Sequence, residues 1–156
     1  MGVSGAGKST VGTRLARELG WRFIEGDDLH PPANIEKMAR GERLTDADRR
    51  GWLAELAGAI SSAIESGENV VVASSALKQR YRDQLRVDAE RVTFVFLRGE
   101  PDLIAARLAD RREHFAGAEL LPSQFEALEE PDDVPAFDVS APLASIVDGI
   151  REELDA

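Results

Sequence analysis

The sequence predicts an α/β fold in three layers, with a doubly wound parallel sheet held between helices. Three observations carry this. Short apolar runs alternate along the chain with stretches of helical apolar periodicity. Two of those runs, Val70-Val71-Val72-Ala73 and the one over 92–97, lack the every-second-residue polarity of a half-solvated strand and so call for cover on both faces. Finally, 156 residues at 43% hydrophobic content suffice for one core and are too few for two ordinary domains, so residues 1–156 are read as a single domain. Strands alternating with helices at this spacing form right-handed βαβ units, whose ligands lie beyond the carboxyl ends of the strands.

The elements follow in order. A glycine-rich loop opens the chain; Val11, Leu15 and Leu19 then share one helical face, and Gly20 supplies the stop. Residues 21–24 read as a short strand ending in the acidic turn Glu25-Gly26-Asp27-Asp28, after which Pro31-Pro32 breaks the chain direction. A helix is expected over 33–40. Thr45, three residues ahead of Asp48, has the spacing of a helix cap, and Leu53, Leu56, Ile60 and Ile64 give the apolar face of the helix it starts, which ends before Gly67. Beyond the strand at 70–73, residues 79–86 read as helix and 92–97 as strand. Pro101 suits the first turn of a helix carrying Leu103, Ile104 and Leu108. Residues 137–139 form a last short strand, and Pro142 opens a closing helix with Leu143, Ile146, Val147, Ile150 and Leu154 on one side.

Charge and composition narrow the function. A net charge of −10 argues against a nucleic-acid partner, which needs a basic surface to meet the phosphate backbone. A small anion is still accommodated by a local cluster of Arg and Lys in one cleft. With no cysteine, a disulfide framework and a thiolate metal site are both excluded. Apolar runs of only a few residues leave no membrane span, and a cytoplasmic protein is the expectation.

The strongest chemical signal is Gly2-Val3-Ser4-Gly5-Ala6-Gly7-Lys8-Ser9, which fits G-x-x-x-x-G-K-[ST] and runs directly into a helical pattern. Backbone N–H groups of such a P-loop wrap nucleotide phosphates at a helix N-terminus. The candidate nucleotide site is therefore Gly2, Ser4, Gly5, Ala6, Gly7, Lys8, Ser9 and Thr10, with Lys8 reaching the β- and γ-phosphates and the Ser9 hydroxyl ligating Mg²⁺. A P-loop normally follows a buried strand, and only Met1 precedes Gly2 here. The first strand is thus expected to be missing, leaving neighbouring strand edges unpaired. The accompanying expectation is a natural start several residues upstream, which intact-mass measurement of the native protein tests. No Asn-Lys-x-Asp motif occurs, against a GTPase, and the 70–73 strand ends in Ser74-Ser75 rather than in a metal-binding aspartate. Glu25 and Asp27 are the acidic groups left to act, one on Mg²⁺ through water and the other on an acceptor hydroxyl.

The run Glu25-Gly26-Asp27-Asp28-Leu29-His30-Pro31, with Asn34-Ile35-Glu36-Lys37-Met38 after it, resembles the gluconokinase family of P-loop small-molecule kinases. The likeness continues through Leu44-Thr45-Asp46-Ala47-Asp48-Arg49 and Trp52-Leu53, then Ser75-Ala76-Leu77-Lys78 and Tyr81-Arg82-Asp83, and finally His114-Phe115, Leu120-Leu121 and Ser123-Gln124-Phe125-Glu126. These blocks span nearly the whole chain in order. The resemblance implies a P-loop NTPase fold of the nucleoside and shikimate kinase kind, with ATP and Mg²⁺ phosphorylating D-gluconate at its 6-hydroxyl. That activity serves carbohydrate-acid catabolism feeding the pentose phosphate or Entner–Doudoroff route. It implies Lys8 and Asp27 as catalytic groups, Asp27 orienting the acceptor hydroxyl, and Ser9 with Glu25 at the metal. The substrate's carboxylate and hydroxyls would meet some subset of His30, Lys37, Arg49, Lys78 and Arg82. A homodimer is also implied, although no apolar stripe in the sequence marks its interface.

Arg107 and Arg111 lie one helical turn apart, just before a segment at about 111–124 that small kinases of this type use as a lid. Arg107 is expected beside the adenine and Arg111 is expected to neutralise charge on the transferred group, with residues 138–142 bordering the base. Lid closure would keep water from competing with the acceptor. Trp52, on the apolar side of its helix, reads as core rather than as a substrate platform. Two other readings remain open at this point: another small P-loop kinase resembling shikimate kinase, although this chain has no Gly-Gly pair, and a nucleotide-binding regulator without catalysis.

Overall fold

The computed structural model describes residues 1–110 and 118–155. Its elements are α1 (Lys8–Leu19), β1 (Arg22–Glu25), α2 (Pro32–Ala39), α3 (Asp46–Glu65), β2 (Val70–Ala73), α4 (Gln79–Leu85), β3 (Phe96–Arg98), α5 (Pro101–Ala109), α6 (Leu121–Ala127), β4 (Ala136–Asp138) and α7 (Leu143–Asp155). The acidic turn is a 3-10 turn over Gly26–Leu29, which carries Asp27 to the end of β1. Predicted helix ends are found where the chemistry puts them. Gly20 takes the left-handed conformation (φ 69°) that closes α1. Thr45 Oγ1 accepts from Asp48 N (3.1 Å) while Asp48 Oδ2 accepts from Thr45 N (2.7 Å), a complete capping box for α3.

β1 pairs with β2 and β3 with β4, both in parallel, with Phe23 opposite Val71 and Leu97 opposite Phe137. Helices cover both faces. Val71 packs against the cluster that holds Leu15 of α1, Ile104 of α5 and Val147 of α7, whereas Val72 packs against the one that holds Trp52 and Leu56 of α3 and Tyr81 of α4. Neighbouring side chains of a strand point to opposite faces. An unbroken valine run is therefore what a strand between two helical layers requires, and the three-layer α/β fold follows from it.

The two strand pairs meet at Met1. Its nitrogen donates to Val95 O (2.6 Å) and its carbonyl accepts from Leu97 N (2.9 Å), one parallel rung against β3, while Gly2 N donates to Ser75 O (3.2 Å) just past β2. The order across the molecule is β1, β2, residues 1–2, β3, β4. Away from that rung, the facing edges of β2 and of residues 92–95 border an apolar cavity of about 550 Å³, lined among others by Val70, Val72, Phe94 and Val95. Residues 92–97 are expected as one strand, and the structure corrects this: only Phe96–Arg98 is one. A strand persists only where it has a ladder, and Val92 N instead turns back to Asp88 O (3.0 Å).

Of the segment expected as a lid, residues 111–117 lie outside the described residues. Its described part is packed down: Leu120 meets Met38 and Leu44, and Leu121, the first residue of α6, enters the main core.

Candidate active site

The P-loop joins Met1 to α1 and faces the carboxyl ends of β1 and β2. Gly7 caps α1 at φ 89°, and Gly5 has φ 81° with its α-carbon so close to α5 that an added Cβ would lie 2.8 Å from Leu108 Cγ. Only glycine meets both conditions at Gly5. Lys8 Nζ donates to Val3 O (2.9 Å), which holds the ammonium over the loop it serves. The Ser9 hydroxyl donates to Glu25 Oε2 at the end of β1. The pair expected at the metal is thus in contact. A hydroxyl and a carboxylate are hard oxygen donors of the kind that suits Mg²⁺. No group of three or more His, Cys, Asp or Glu able to hold a metal by itself occurs among the described residues.

A cleft opens in front of this loop. It is lined by Ser4, Gly5, Lys8 and Ser9 of the P-loop together with Asp27, His30, Arg43, Arg49, Trp52, Ser123 and Gln124. His30 is 8% exposed and stacks on the Trp52 indole (centroids 4.4 Å apart, planes at 14°). Trp52 is itself fixed by its Nε1–H donating to Gly26 O (2.7 Å). The tryptophan is core, as its helical phase predicts, and at the same time the plate against which a cleft residue lies. His30 Nε2 sits 3.9 Å from Asp27 Oδ1. Burial lowers the His30 pKa from its ordinary value; the Asp27 carboxylate opposes that shift and Arg49 adds to it, so the ring is neutral at neutral pH.

The five groups expected at the substrate besides Asp27 separate here. His30 and Arg49 line the cleft, and the Arg49 guanidinium is steadied by Leu44 O (2.7 Å) and lies 5.8 Å from the Tyr81 ring centre. Lys37 and Lys78 are absent from its walls: Lys37 pairs with Asp48 (2.7 Å) and Lys78 with Asp46 (3.2 Å). Asp46 also accepts from Tyr81 Oη and pairs with Arg80, and this gathering of donors, Tyr81 first, holds its carboxyl far below the usual carboxylate range. Arg82 requires a correction. It is 2% exposed and donates to Ala76 O (2.9 Å), Leu77 O (3.0 Å), Gln79 Oε1 (2.9 Å) and Glu129 O (2.8 Å), so its guanidinium faces main-chain carbonyls inside the protein and not the cleft.

Arg107 donates to Val139 O (2.6 Å), which puts it against the 138–142 segment expected to border the base, outside the cleft just described. Arg111 and His114-Phe115 fall outside the described residues. Three groups escaped the sequence reading. Arg43 reaches the cleft and pairs at 3.7 Å with Glu126. Gln124 Oε1 accepts from the P-loop amide of Ser4 (2.6 Å). Asn34, 3% exposed, bonds to His30. Gln124 and Asn34 stand inside the matched blocks, but nothing in one sequence tells a block residue that bonds from one that only packs.

A family model described as an AAA domain matches residues 1–131. A gluconokinase of Gluconobacter oxydans (strain 621H) is 51% identical over 141 residues, covering 90% of this chain and 79% of that protein. Among solved structures, an unliganded sugar kinase from Janibacter sp. HTCC2649 superposes with a TM-score of 0.92 at 40% identity, covering 99% of this chain and 91% of the other. A gluconokinase from Sinorhizobium meliloti 1021 superposes with a TM-score of 0.83 at 49% identity, covering 95% and 85%.

Proposed function

The chain belongs to the gluconokinase family of P-loop kinases, and from that premise we propose that it transfers the γ-phosphoryl group of ATP to the 6-hydroxyl of D-gluconate. The observation that carries the reading is the cleft itself. Lys8 and Ser9 of the P-loop share one cleft with the Asp27 carboxylate, the His30 imidazole and two arginines, Arg43 and Arg49. The P-loop groups suit a nucleotide phosphate and the carboxylate with the imidazole an acceptor hydroxyl; the arginines suit the carboxylate of a sugar acid.

In the reaction, a bond forms between the acceptor oxygen and the γ-phosphorus, and the bond from that phosphorus to the β,γ-bridging oxygen breaks. P-loop amides and Lys8, turned from Val3 O, hold the phosphates. Ser9 and Glu25 would hold Mg²⁺, and the chemistry it would supply there is neutralisation of charge on the phosphate oxygens. Asp27 accepts the hydroxyl hydrogen bond and takes the proton as the oxygen transfers its electrons. Arg43 and Arg49 fix the carboxylate end, and the sequence expectation for Arg111 at the transferred group completes the set. Positioning supplies most of the acceleration, because phosphoryl transfer asks little covalent chemistry of the protein.

The test is a coupled ATPase assay with Mg²⁺, comparing D-gluconate, shikimate and no acceptor. Turnover that depends on gluconate and is abolished by Lys8→Ala supports the proposal. Nucleotide binding without turnover on any acid would replace it with a nucleotide-binding regulator.

A further inference from the structure

Asn34 lies in the first turn of α2, almost wholly buried, and carries no role in the reaction above. Its Nδ2 is 2.9 Å from Asp48 O and 3.2 Å from His30 Nδ1. A main-chain carbonyl only accepts, so the atom beside Asp48 O is the amide nitrogen and one of its two hydrogens is spent there. The second hydrogen faces His30 Nδ1. That nitrogen must then accept and carries no proton. A neutral imidazole with a bare Nδ1 bears its hydrogen on Nε2, the atom that faces Asp27.

We propose that Asn34 is a positioning residue: it sets His30 as an Nε2–H donor beside Asp27, so that the two together hold the acceptor hydroxyl. This rests on the kinase reading of the same cleft. The 3.9 Å between His30 Nε2 and Asp27 Oδ1 is too long for a direct hydrogen bond and suits one oxygen placed roughly 2.8 Å from each. A hydroxyl there accepts from His30 with a lone pair and donates its hydrogen to Asp27. Its second lone pair is left for the phosphorus. Stacking on Trp52 fixes the plane of the ring, and Asn34 fixes which edge carries the hydrogen.

The test uses the ¹⁵N-labelled full chain, where His30 and His114 are the only two histidines and His30→Gln assigns the signals. Long-range ¹H–¹⁵N correlation at neutral pH is expected to show His30 with Nδ1 bare and Nε2 protonated, with no substrate present. In Asn34→Asp the new carboxylate accepts from Nδ1, the Nδ1 signal becomes that of a protonated nitrogen, and kcat with gluconate falls roughly 100-fold while KM for ATP holds. In a His30→Gln background the same substitution is expected to lose most of that effect, because the amide donor of Gln needs no tautomer. A wild-type His30 protonated at Nδ1 overturns the proposal even if no variant folds. So does an unchanged tautomer in folded Asn34→Asp, or a loss that is simply additive. Failure of gluconate turnover in the wild type would refute the kinase reading instead, and the NMR result would still decide the arrangement.

Discussion

Replacing Arg82 with leucine separates a structural role from a substrate-binding one. The guanidinium satisfies three main-chain carbonyls, of Ala76, Leu77 and Glu129, at 2.8–3.0 Å, and Ala76 is itself in the left-handed region at φ 44°. In Arg82→Leu the carbonyls of Ala76 and Glu129 lose this partner in the interior, at about 1–3 kcal/mol each, whereas Leu77 O keeps the Glu129 N–H (2.8 Å). Some of that is offset by apolar burial and by removal of Nε, which has no protein partner among the described residues. A net loss of about 2–4 kcal/mol follows, a large part of the 5–15 kcal/mol typical of a domain. For a chain of this length it corresponds to a melting temperature roughly 10 °C lower. Urea and thermal melts read the stability, and steady-state kinetics on the folded enzyme read the substrate. The expected outcome is a marked destabilisation with KM for gluconate near the wild-type value. A melt unchanged within about 0.5 kcal/mol, together with a KM for gluconate raised tenfold or more, would refute the reasoning and return Arg82 to the substrate.

Asp27→Ala is expected to lower kcat with gluconate by roughly 10²–10⁴ and leave KM for ATP little changed; an equal loss of ATP affinity would assign Asp27 to the metal. With Glu25 at the metal as proposed, Glu25→Gln is expected to shift the midpoint of a Mg²⁺ titration of the rate upward by roughly tenfold, and an unchanged midpoint removes Glu25 from the site. For pH, the His30 pKa is depressed below its ordinary 6.5 by burial, so the unfolded chain takes up the proton first. His30's contribution is fully present above that value and is lost as pH falls through the native-state value. Urea melts at pH 7.5 and 5.5 should show that loss in the wild type and a smaller one in His30→Phe, since phenylalanine keeps the stack on Trp52 without the titration.

Much of the fold was legible because it depends on periodicity and on residues with unusual backbone freedom. The valine run at 70–73 announces a strand covered on both sides, Gly20 and the Thr45–Asp48 pair mark helix ends, and the spacing from Gly2 to Ser9 fixes the nucleotide loop. Strand length was less legible. Residues 92–97 have the composition of a strand throughout, but a strand is a pairing between segments, and only Phe96–Arg98 has its partners.

The sequence by itself placed the P-loop over Gly2 to Ser9 and the acidic turn after the first strand, because these lie within short windows where spacing dictates geometry, and its resemblance to gluconokinases gave the reaction class. Only the tertiary structure decided among the cations. Arg49 and Arg82 are chemically alike and both stand in matched blocks, yet Arg49 faces the cleft while Arg82 is drawn inside by carbonyls from two separate loops. It also decided that Trp52 backs the cleft histidine His30, that Gln124 reaches a P-loop amide 120 residues away, and that the Asn34 amide lies against His30 Nδ1. The physical reason is directionality. Hydrophobic burial leaves a periodic trace in one dimension, but a hydrogen bond depends on distance and angle between groups that only folding brings together.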